Sequence, residues 1–407
     1  MVNVIGLGYI GLPTALMLAS HGVEVVGTDY NKELVESLNA GVPTFKEDGL
    51  DELFKNAVDA GIKFTNNYQH TDIYIVAVPT PYNKFSKKVD ACYVKAAVND
   101  VLDVCNAGAT IIVESTVSPG TIDKEVRPLI AERGFITGKD VHLVHAPERI
   151  LPGNMIYELI NNDRTIGADE PKVAVRVRDI YASFCKGEIV LTDIRTAEMT
   201  KVVENTFRAV NIAFANELSR ICRHDNMDVY EIIRICNKHP RVNIMNPGPG
   251  VGGHCISVDP WFLVGDYPQL TKVIGESMKV NDSQPDFVLE RLQVIMQENN
   301  IKDASRVGLY GITYKENVDD YRDSPTLQLL ESQARHLAAP LKCYDPFLEN
   351  MKLTESQYSD FDAFINDVDI VVVMVKHDHI CHNWDRLKDK IVLDCHNICP
   401  LPNTYRL

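Results

Sequence analysis

The run Gly6-Leu-Gly8-Tyr-Ile-Gly11 constrains this chain more than any other stretch, because it stands between an apolar strand-like segment, Val2 to Ile5, and a helix-like one, Leu12 to Ser20. In that setting each glycine has a task. The first permits a tight turn, the second lets the backbone approach a pyrophosphate, and the third brings helix and strand together so that the helix N-terminus faces the phosphates. A second strand, Glu24 to Thr28, ends at Asp29. A carboxylate there accepts hydrogen bonds from a ribose diol and repels a 2′-phosphate, so the dinucleotide expected is NAD rather than NADP.

The rest of the chain extends this beginning into a fold class. Apolar runs at Ile73 to Val78, Thr110 to Glu114 and Val141 to His145 read as buried strands, with helical patterns at Tyr93 to Val104 and Ile122 to Arg133 between them. Strand alternating with helix predicts a parallel sheet with helices on both faces. From Thr196 to Arg223 the pattern is helical, with an apolar stripe at Val203, Phe207, Val210, Phe214, Leu218 and Ile221, and more helix follows at Val229 to Asn237 and on either side of Val280. Strand signals return at Arg306 to Gly311, Leu341 to Tyr344, Ile370 to Val375 and Ile391 to Asp394. The expected architecture is α/β, with two Rossmann-like doubly wound domains, 1–195 and 296–407, joined by a central all-helical segment, 196–295. The second α/β domain is a loose echo of the first. Its leading strand ends in Gly308-Leu-Tyr-Gly311 without a third glycine, so it should hold a different ligand, or a different part of one.

Composition narrows the partners. A chain of 407 residues, 45% hydrophobic and 24% charged, is that of a globular protein with two or three cores. Its formal charge of −15 argues against nucleic acid and anionic membranes as partners, though not against an anionic small ligand. The glycine-punctuated opening does not read as a signal peptide, and no apolar run reaches the length of a membrane span; a cytoplasmic protein is expected. The ten cysteines have no disulfide-framework spacing. Cys381, Cys395 and Cys399 crowd with His377, His379, His382 and His396, but without a paired metal-ligand module, so buried thiols and surface histidines are expected there and no metal.

Several residues stand out as chemical. Thr80 and Thr116 each follow an apolar strand and would line the switch-point crevice. Glu148-Arg149 places a further carboxylate at a strand's end. Lys201, Asn205 and Arg208 fall at i, i+4 and i+7 on the long helix, a polar stripe opposite the apolar one that a solvated face would also explain. Cys255 emerges from Pro247-Gly-Pro-Gly-Val-Gly-Gly-His254, and Asp259-Pro260 reads as the N-cap and first position of a helix. A thiol among exposed amides near a helix N-terminus ionises easily, as a nucleophile must. The other nine cysteines are expected to be buried small hydrophobes. Cys255 differs, because packing offers no evident reason for so many glycines beside it.

Together, Gly6 to Gly11, Val78-Pro-Thr-Pro81, Glu114-Ser-Thr116, Pro147-Glu-Arg149, Glu198-Met-Thr-Lys201, Glu204-Asn205, Gly250-Val-Gly-Gly-His-Cys255 and Asp319-Asp-Tyr-Arg-Asp-Ser-Pro325 resemble the UDP-glucose/GDP-mannose dehydrogenase family, in order over essentially the whole chain. Leu151-Pro-Gly, Asn162-Asp-Arg164, Arg195 to Met199 and His239-Pro-Arg-Val-Asn243 are most similar to the branch acting on UDP-N-acetylmannosamine, although the UDP-N-acetylglucosamine branch shares much of this framework. The resemblance implies an NAD-dependent, four-electron oxidation of a sugar C6 alcohol to a carboxylate through a Cys255 thiohemiacetal and thioester. It assigns Lys201 and Asn205 to the reacting oxygen, Asp259 and Thr116 to water, and Glu148 to thioester hydrolysis. It gives NAD the residues Gly6, Gly8, Tyr9, Ile10, Gly11, Asp29, Thr80, Thr116 and Arg322. The sugar nucleotide receives Arg149, Ile150, Lys201, Asn205, Arg208, His239, Arg241 and Gly252, with Tyr314 and Lys315 near UDP. His239 and Arg241 are implied to come from the partner of a homodimer formed by the helical segment. Two departures from the family's pattern are Glu47-Asp48-Gly49, where a proline commonly precedes the glycine, and Tyr321 within Asp320-Tyr-Arg322. The alternatives are another UDP-hexose dehydrogenase, a two-electron dehydrogenase of the 6-phosphogluconate or hydroxyacyl-CoA kind, and a binding protein without catalysis.

Overall fold

The structure is a computed structural model that describes residues 1–407 apart from 336, 338 and 403. Its contacts group into two compact units, one formed by residues 1–204 with 265–267 and the other by 205–264 with 268–407. The helix Ile194–His224 belongs partly to each.

The first unit is built on eight strands: β1 (Val2–Ile5), β2 (Val25–Thr28), β3 (Lys63–Thr65), β4 (Ile73–Val76), β5 (Ala109–Val113), β6 (Val141–His145), β7 (Arg164–Ala168) and β8 (Ile189–Thr192). They hydrogen-bond in the order β3-β2-β1-β4-β5-β6-β7-β8. Successive side chains of a strand point to opposite faces. Thus Ile75 and Ile112 join the core packed on helix Gly11–Ser20, while Tyr74, Val76, Ile111 and Val113 join the core packed on helix Cys92–Val104. The wholly parallel sheet expected from the sequence needs correction, because β7 runs antiparallel to β6. Strands β3, β7 and β8 were not anticipated either. In β8 the burial pattern leaves Val190 and Leu191 exposed, and β7 opens on a charged residue, Arg164.

The second unit carries β9 (Val307–Tyr310), β10 (Lys342–Tyr344), β11 (Gln357–Tyr358), β12 (Ile370–Val373), β13 (Ile391–Asp394) and β14 (Thr404–Arg406), all parallel, in the order β11-β10-β9-β12-β13-β14. This repeats the order of β1 to β6, and the likeness extends to side chains. Gly6 and Gly311 both turn left-handed, at φ 87° and 92°. A Cβ on Gly6 would lie 2.5 Å from the Ala77 carbonyl oxygen, and one on Gly311 would lie 2.5 Å from Val375 Cβ, so neither turn accepts a larger residue. Asp29 after β2 accepts the Leu7 N–H at 2.8 Å and the Asn31 N–H at 2.9 Å. Asp345 after β10 accepts the Ile312 N–H at 2.6 Å and the Phe347 N–H at 2.8 Å.

Helices Val229–Cys236, Lys272–Asp282 and Gln284–Glu298 also belong to the second unit. The long helix turns small residues, Ala209, Ala213, Asn216 and Ser219, inward. Asn216 donates to Asn281 Oδ1 at 3.0 Å, and Asn281 donates in turn to the Ala209 carbonyl at 2.9 Å. The apolar stripe faces the other way. Val203 is 46% exposed, Phe207 67%, Phe214 53% and Ile221 52%. The polar stripe is not a solvated face throughout either, since Lys201 is buried.

Two expectations about cysteine and histidine are corrected. Cys185, Cys222, Cys343 and Cys395 are buried, but Cys92 and Cys381 are exposed and the rest are half-buried. His377 is fully buried against Asp345 rather than at the surface. Its Nδ1 accepts the Asn317 N–H at 2.9 Å, which leaves Nε2 to donate to Asp345 at 3.2 Å. Among the described residues no group of three or more His, Cys, Asp or Glu is placed to hold a metal ion, and no helix is long and apolar enough to cross a membrane.

Candidate active site

The glycine turn of the first unit has the shape a pyrophosphate needs. A Cβ on Gly11 would meet the Gly6 carbonyl oxygen at 1.8 Å, which locks turn and helix together, while one on Gly8 would meet nothing within 4 Å. Space is therefore open beside an exposed backbone, at the start of a helix whose first turn carries no acidic side chain. Tyr9 stacks on Phe45, ring centroids 4.4 Å apart, and Ile10 precedes the helix. Asp29 spends each carboxylate oxygen on one backbone N–H, and each keeps a further acceptor position for a ribose diol. Downstream, Thr80 donates to the Thr116 carbonyl at 2.7 Å, tying the loops after β4 and β5 together. These residues fit NAD.

Glu148 is buried, as is Ile150. Glu148 accepts its neighbour Arg149's N–H at 2.7 Å and is ion-paired with Arg164. Arg149 itself reaches Thr165 Oγ1 at 3.0 Å and Glu204 at 2.6 Å. Glu47, in the segment that departs from the family's pattern, accepts the N–H groups of Gly153 and Met155 at 2.7 and 2.8 Å, and so ties the 151–155 loop down. Three further charged residues were given no role from sequence although all three lie in the motifs quoted. Glu198 accepts the Ile122 N–H at 2.9 Å, and burial pushes its carboxyl up to about 7. Glu114 and Arg164 are fully buried beside Glu148.

In the second unit Cys255 is half-buried and ends the glycine tract. Its carbonyl accepts the Asp259 N–H at 2.8 Å, and Asp259 is the first residue of helix Asp259–Asp266 rather than its N-cap. Asn205 donates to Asp259 Oδ2 at 2.6 Å. The glycines have a packing reason after all. Gly253 donates its N–H to the Arg322 carbonyl at 2.9 Å, and Cβ atoms on Gly252 and Gly253 would both strike Tyr314 at 2.8 Å. The tract is thus pressed against the segment that carries Tyr314 and Lys315. Tyr321 packs on the core of this unit, and Arg322 makes a two-pronged pair with Asp320, at 2.8 and 2.6 Å. Arg208, His239 and Arg241 are exposed, with His239 Nδ1 accepting the Arg241 N–H at 3.3 Å. A cavity of about 760 Å³ lies beyond the carboxyl ends of β12 and β13, lined among others by Arg234, Asn246, Lys376, His396, Asn397 and Arg406.

A glycine-turn dinucleotide site with an acceptor for a ribose diol, together with a thiol, a buried lysine and a hydrogen-bonded Asn–Asp pair, defines an NAD-dependent oxidoreductase. Family models match along the chain: the NAD-binding domain of the UDP-glucose/GDP-mannose dehydrogenase family over residues 1–185, its central domain over 195–283 and its UDP-binding domain over 308–400. The chain belongs to the UDP-glucose/GDP-mannose dehydrogenase family. It is 40% identical over 409 residues to a UDP-N-acetyl-D-mannosamine dehydrogenase of Methanocaldococcus jannaschii, covering 98% of this chain and 92% of that one. It is 38% identical over 410 residues to an NDP-N-acetyl-D-galactosaminuronic acid dehydrogenase of Ralstonia nicotianae, covering 97% and 95%. The solved UDP-N-acetyl-mannosamine dehydrogenase Cap5O from Staphylococcus aureus superposes with a TM-score of 0.89 at 37% identity, covering 100% of this chain and 98% of that one.

Proposed function

We propose that the chain is a UDP-N-acetyl-D-mannosamine 6-dehydrogenase that converts the C6 alcohol to a carboxylate. The observation that carries this reading is Cys255 at the end of a glycine tract, one turn before an aspartate bonded to the long helix that also bears Lys201. Two oxidations at one carbon require the aldehyde to be held between them, and a thiol does so covalently. NAD supplies the chemistry of both oxidations by accepting a hydride at each. Lys201 and Asn205 hold the substrate oxygen and stabilise its developing charge. The Cys255 thiolate adds to the aldehyde carbon to give a thiohemiacetal, which the second oxidation converts to a thioester. Asp259 and Thr116 orient water, and Glu148 takes a proton from it.

Arg149, Ile150, Arg208, His239, Arg241 and Gly252 hold the sugar nucleotide in this reading, and Arg322 is assigned to NAD. Tyr314 and Lys315 contact UDP. The cavity beyond β12 and β13 is assigned to the diphosphate, with Lys376 at its wall beside Arg234 and Arg406, which are paired with Glu231 and Asp228. The exposed stripe of the long helix forms a homodimer, through which His239 and Arg241 act in the partner's site. A catalytic thiolate calls for a reducing compartment, in keeping with a cytoplasmic protein. The test is stoichiometry across a panel of UDP-hexoses. Two NADH per sugar acid, with UDP-N-acetylmannosamine turned over fastest, is the expected result. One NADH per sugar would remove the four-electron mechanism, and a faster epimer would reassign the substrate.

A further inference from the structure

Glu114 and Arg164 are fully buried ionisable groups that the reaction as drawn does not use, and they sit directly behind Glu148. Strands β5, β6 and β7 lie side by side in the sheet and supply one residue each. Glu114 follows β5, Glu148 follows β6, and Arg164 opens β7. Arg164 pairs with Glu148 through Nη2 and stands 3.7 Å from Glu114 through Nη1. Its guanidinium carbon lies over the Tyr181 ring at 4.5 Å and the Phe184 ring at 5.2 Å, so the side chain is clamped as well as charged. Tyr181 donates its hydroxyl to Glu114 at 3.0 Å. Thr14 on the first helix and Cys185 are the other polar neighbours of this cluster.

Two carboxylates beside one arginine cannot both be ionised cheaply in a dry interior. Burial pushes the Glu114 carboxyl up to about 7, with Arg164 opposing the rise and Glu148 adding to it. Below neutral pH the Glu114 carboxyl is therefore largely neutral, while Arg164 stays paired with Glu148.

We propose that Arg164 is a positioning residue for thioester hydrolysis, one that fixes the Glu148 carboxylate in place as the base. The inference rests on the hydrolytic role proposed for Glu148 above. In that step water adds to the acyl carbon while Glu148 takes one of its protons. The C–S bond then breaks, its electron pair leaves on the Cys255 sulfur as thiolate, and the product acid loses its own proton to solvent. A base bound to Arg164 by one oxygen keeps its other oxygen in a fixed direction. The Asn162-Asp-Arg164 segment and Glu114-Ser-Thr116 then have a shared reason to occur in one sequence.

The experiment uses the full chain with NAD and UDP-N-acetylmannosamine, quenched in acid during turnover and weighed intact, with kcat and KM measured alongside. Glu148→Gln first tests the underlying reading: it should accumulate the acyl adduct on Cys255, and failure to do so would remove the role of Glu148 itself. Given that adduct, Arg164→Met should also accumulate it, with kcat about 100-fold lower and KM little changed, the range for loss of an effective base. Arg164→Lys should recover at least part of the rate, and it carries the test if the methionine variant folds poorly. Acid release at the normal rate without adduct would overturn the proposal. So would a slow enzyme without adduct, which marks an arginine that serves folding alone.

Discussion

Asn205 on the long helix and Asp259 at the start of the helix after Cys255 are joined by a hydrogen bond of 2.6 Å from Nδ2 to Oδ2. Asp259 is buried, and this bond holds the amide's second proton and its carbonyl in a set direction. The pair thereby ties the Asn205 stretch of the long helix to the turn that carries Cys255, the proposed nucleophile.

Replacing Asp259 with Asn keeps the volume and removes the charge. We expect kcat to fall about 100-fold, equivalent to ~2.7 kcal/mol of barrier, with KM within a few-fold of normal. Asn205→Ala removes the donor and leaves a buried carboxylate with one partner fewer, so it should also lower unfolding free energy by about 1–3 kcal/mol. Steady-state NADH formation and urea unfolding on the same preparations check both. A normal kcat in Asp259→Asn would show that the carboxylate is structural only.

Asp29 has two tasks that one substitution separates. Its carboxylate holds the Leu7 and Asn31 amides and, in the role proposed for it, presents its remaining acceptor positions to a ribose. Asp29→Asn keeps an acceptor for the loop but loses the negative charge. NAD affinity should fall about tenfold, equivalent to ~1.4 kcal/mol, while NADP binding, no longer repelled, should improve relative to NAD. Titration of both dinucleotides by protein fluorescence measures the ratio; an unchanged ratio would mean that Asp29 does not discriminate.

The contrast between what could and could not be read from the chain follows from where each residue's reason lies. Gly6 and Gly11 explain themselves within a few residues, and the turn, strand β1 and its helix match their expected bounds closely. Asp29 and Cys255 needed only a neighbouring strand or turn. Arg164 was illegible as a strand residue because its burial depends on Glu148, 16 residues away, and on Glu114, 50 residues away (164 − 148 and 164 − 114). The glycines at 252 and 253 looked like ligand clearance because the ring they accommodate, Tyr314, is some 60 residues distant (314 − 253 = 61). Periodicity identified the stripe from Val203 to Ile221 but carried no information about what covers it, since an apolar face is the same signal whether the cover is its own chain or another.

His145 gives the first unit a specific acid sensitivity. It ends β6 fully buried, and burial pushes it down from 6.5 to about 4. The folded state therefore binds fewer protons than the unfolded one between those values. Stability is lost as pH falls below about 6.5, and the loss levels off near 4, on the order of 3 kcal/mol in total. Glu114 and Glu198, pushed up to about 7, act oppositely, losing stability as pH rises from about 4.5 to 7. The histidine contribution is therefore read as a difference. Urea unfolding of wild type and His145→Gln should show wild type losing ground to the variant from pH 7 to pH 4. A pH-independent difference would place the ring in contact with solvent or a compensating charge.

The exposed stripe of the long helix supplies the last prediction. Phe207 and Phe214 lie seven residues apart, two helical turns, on one line with Val203 and Ile221, and each of the four is about half exposed or more. Two phenylalanines and two aliphatic side chains left in water on one helix make an apolar strip that a second copy of the same helix, crossing on a twofold axis, would bury on both sides. Phe207→Asp places a charge in the middle of such an interface, where each copy contributes one and the two repel. Light scattering should then give a mass near 45.6 kDa for the variant and twice that for wild type. Activity provides the second readout. If His239 and Arg241 act in the partner's site, the monomer should lose sugar-nucleotide affinity while keeping NAD affinity, since the glycine turn and Asp29 lie within one chain. A variant that is monomeric and fully active would remove the shared site, and a wild type that is already monomeric would remove the interface itself.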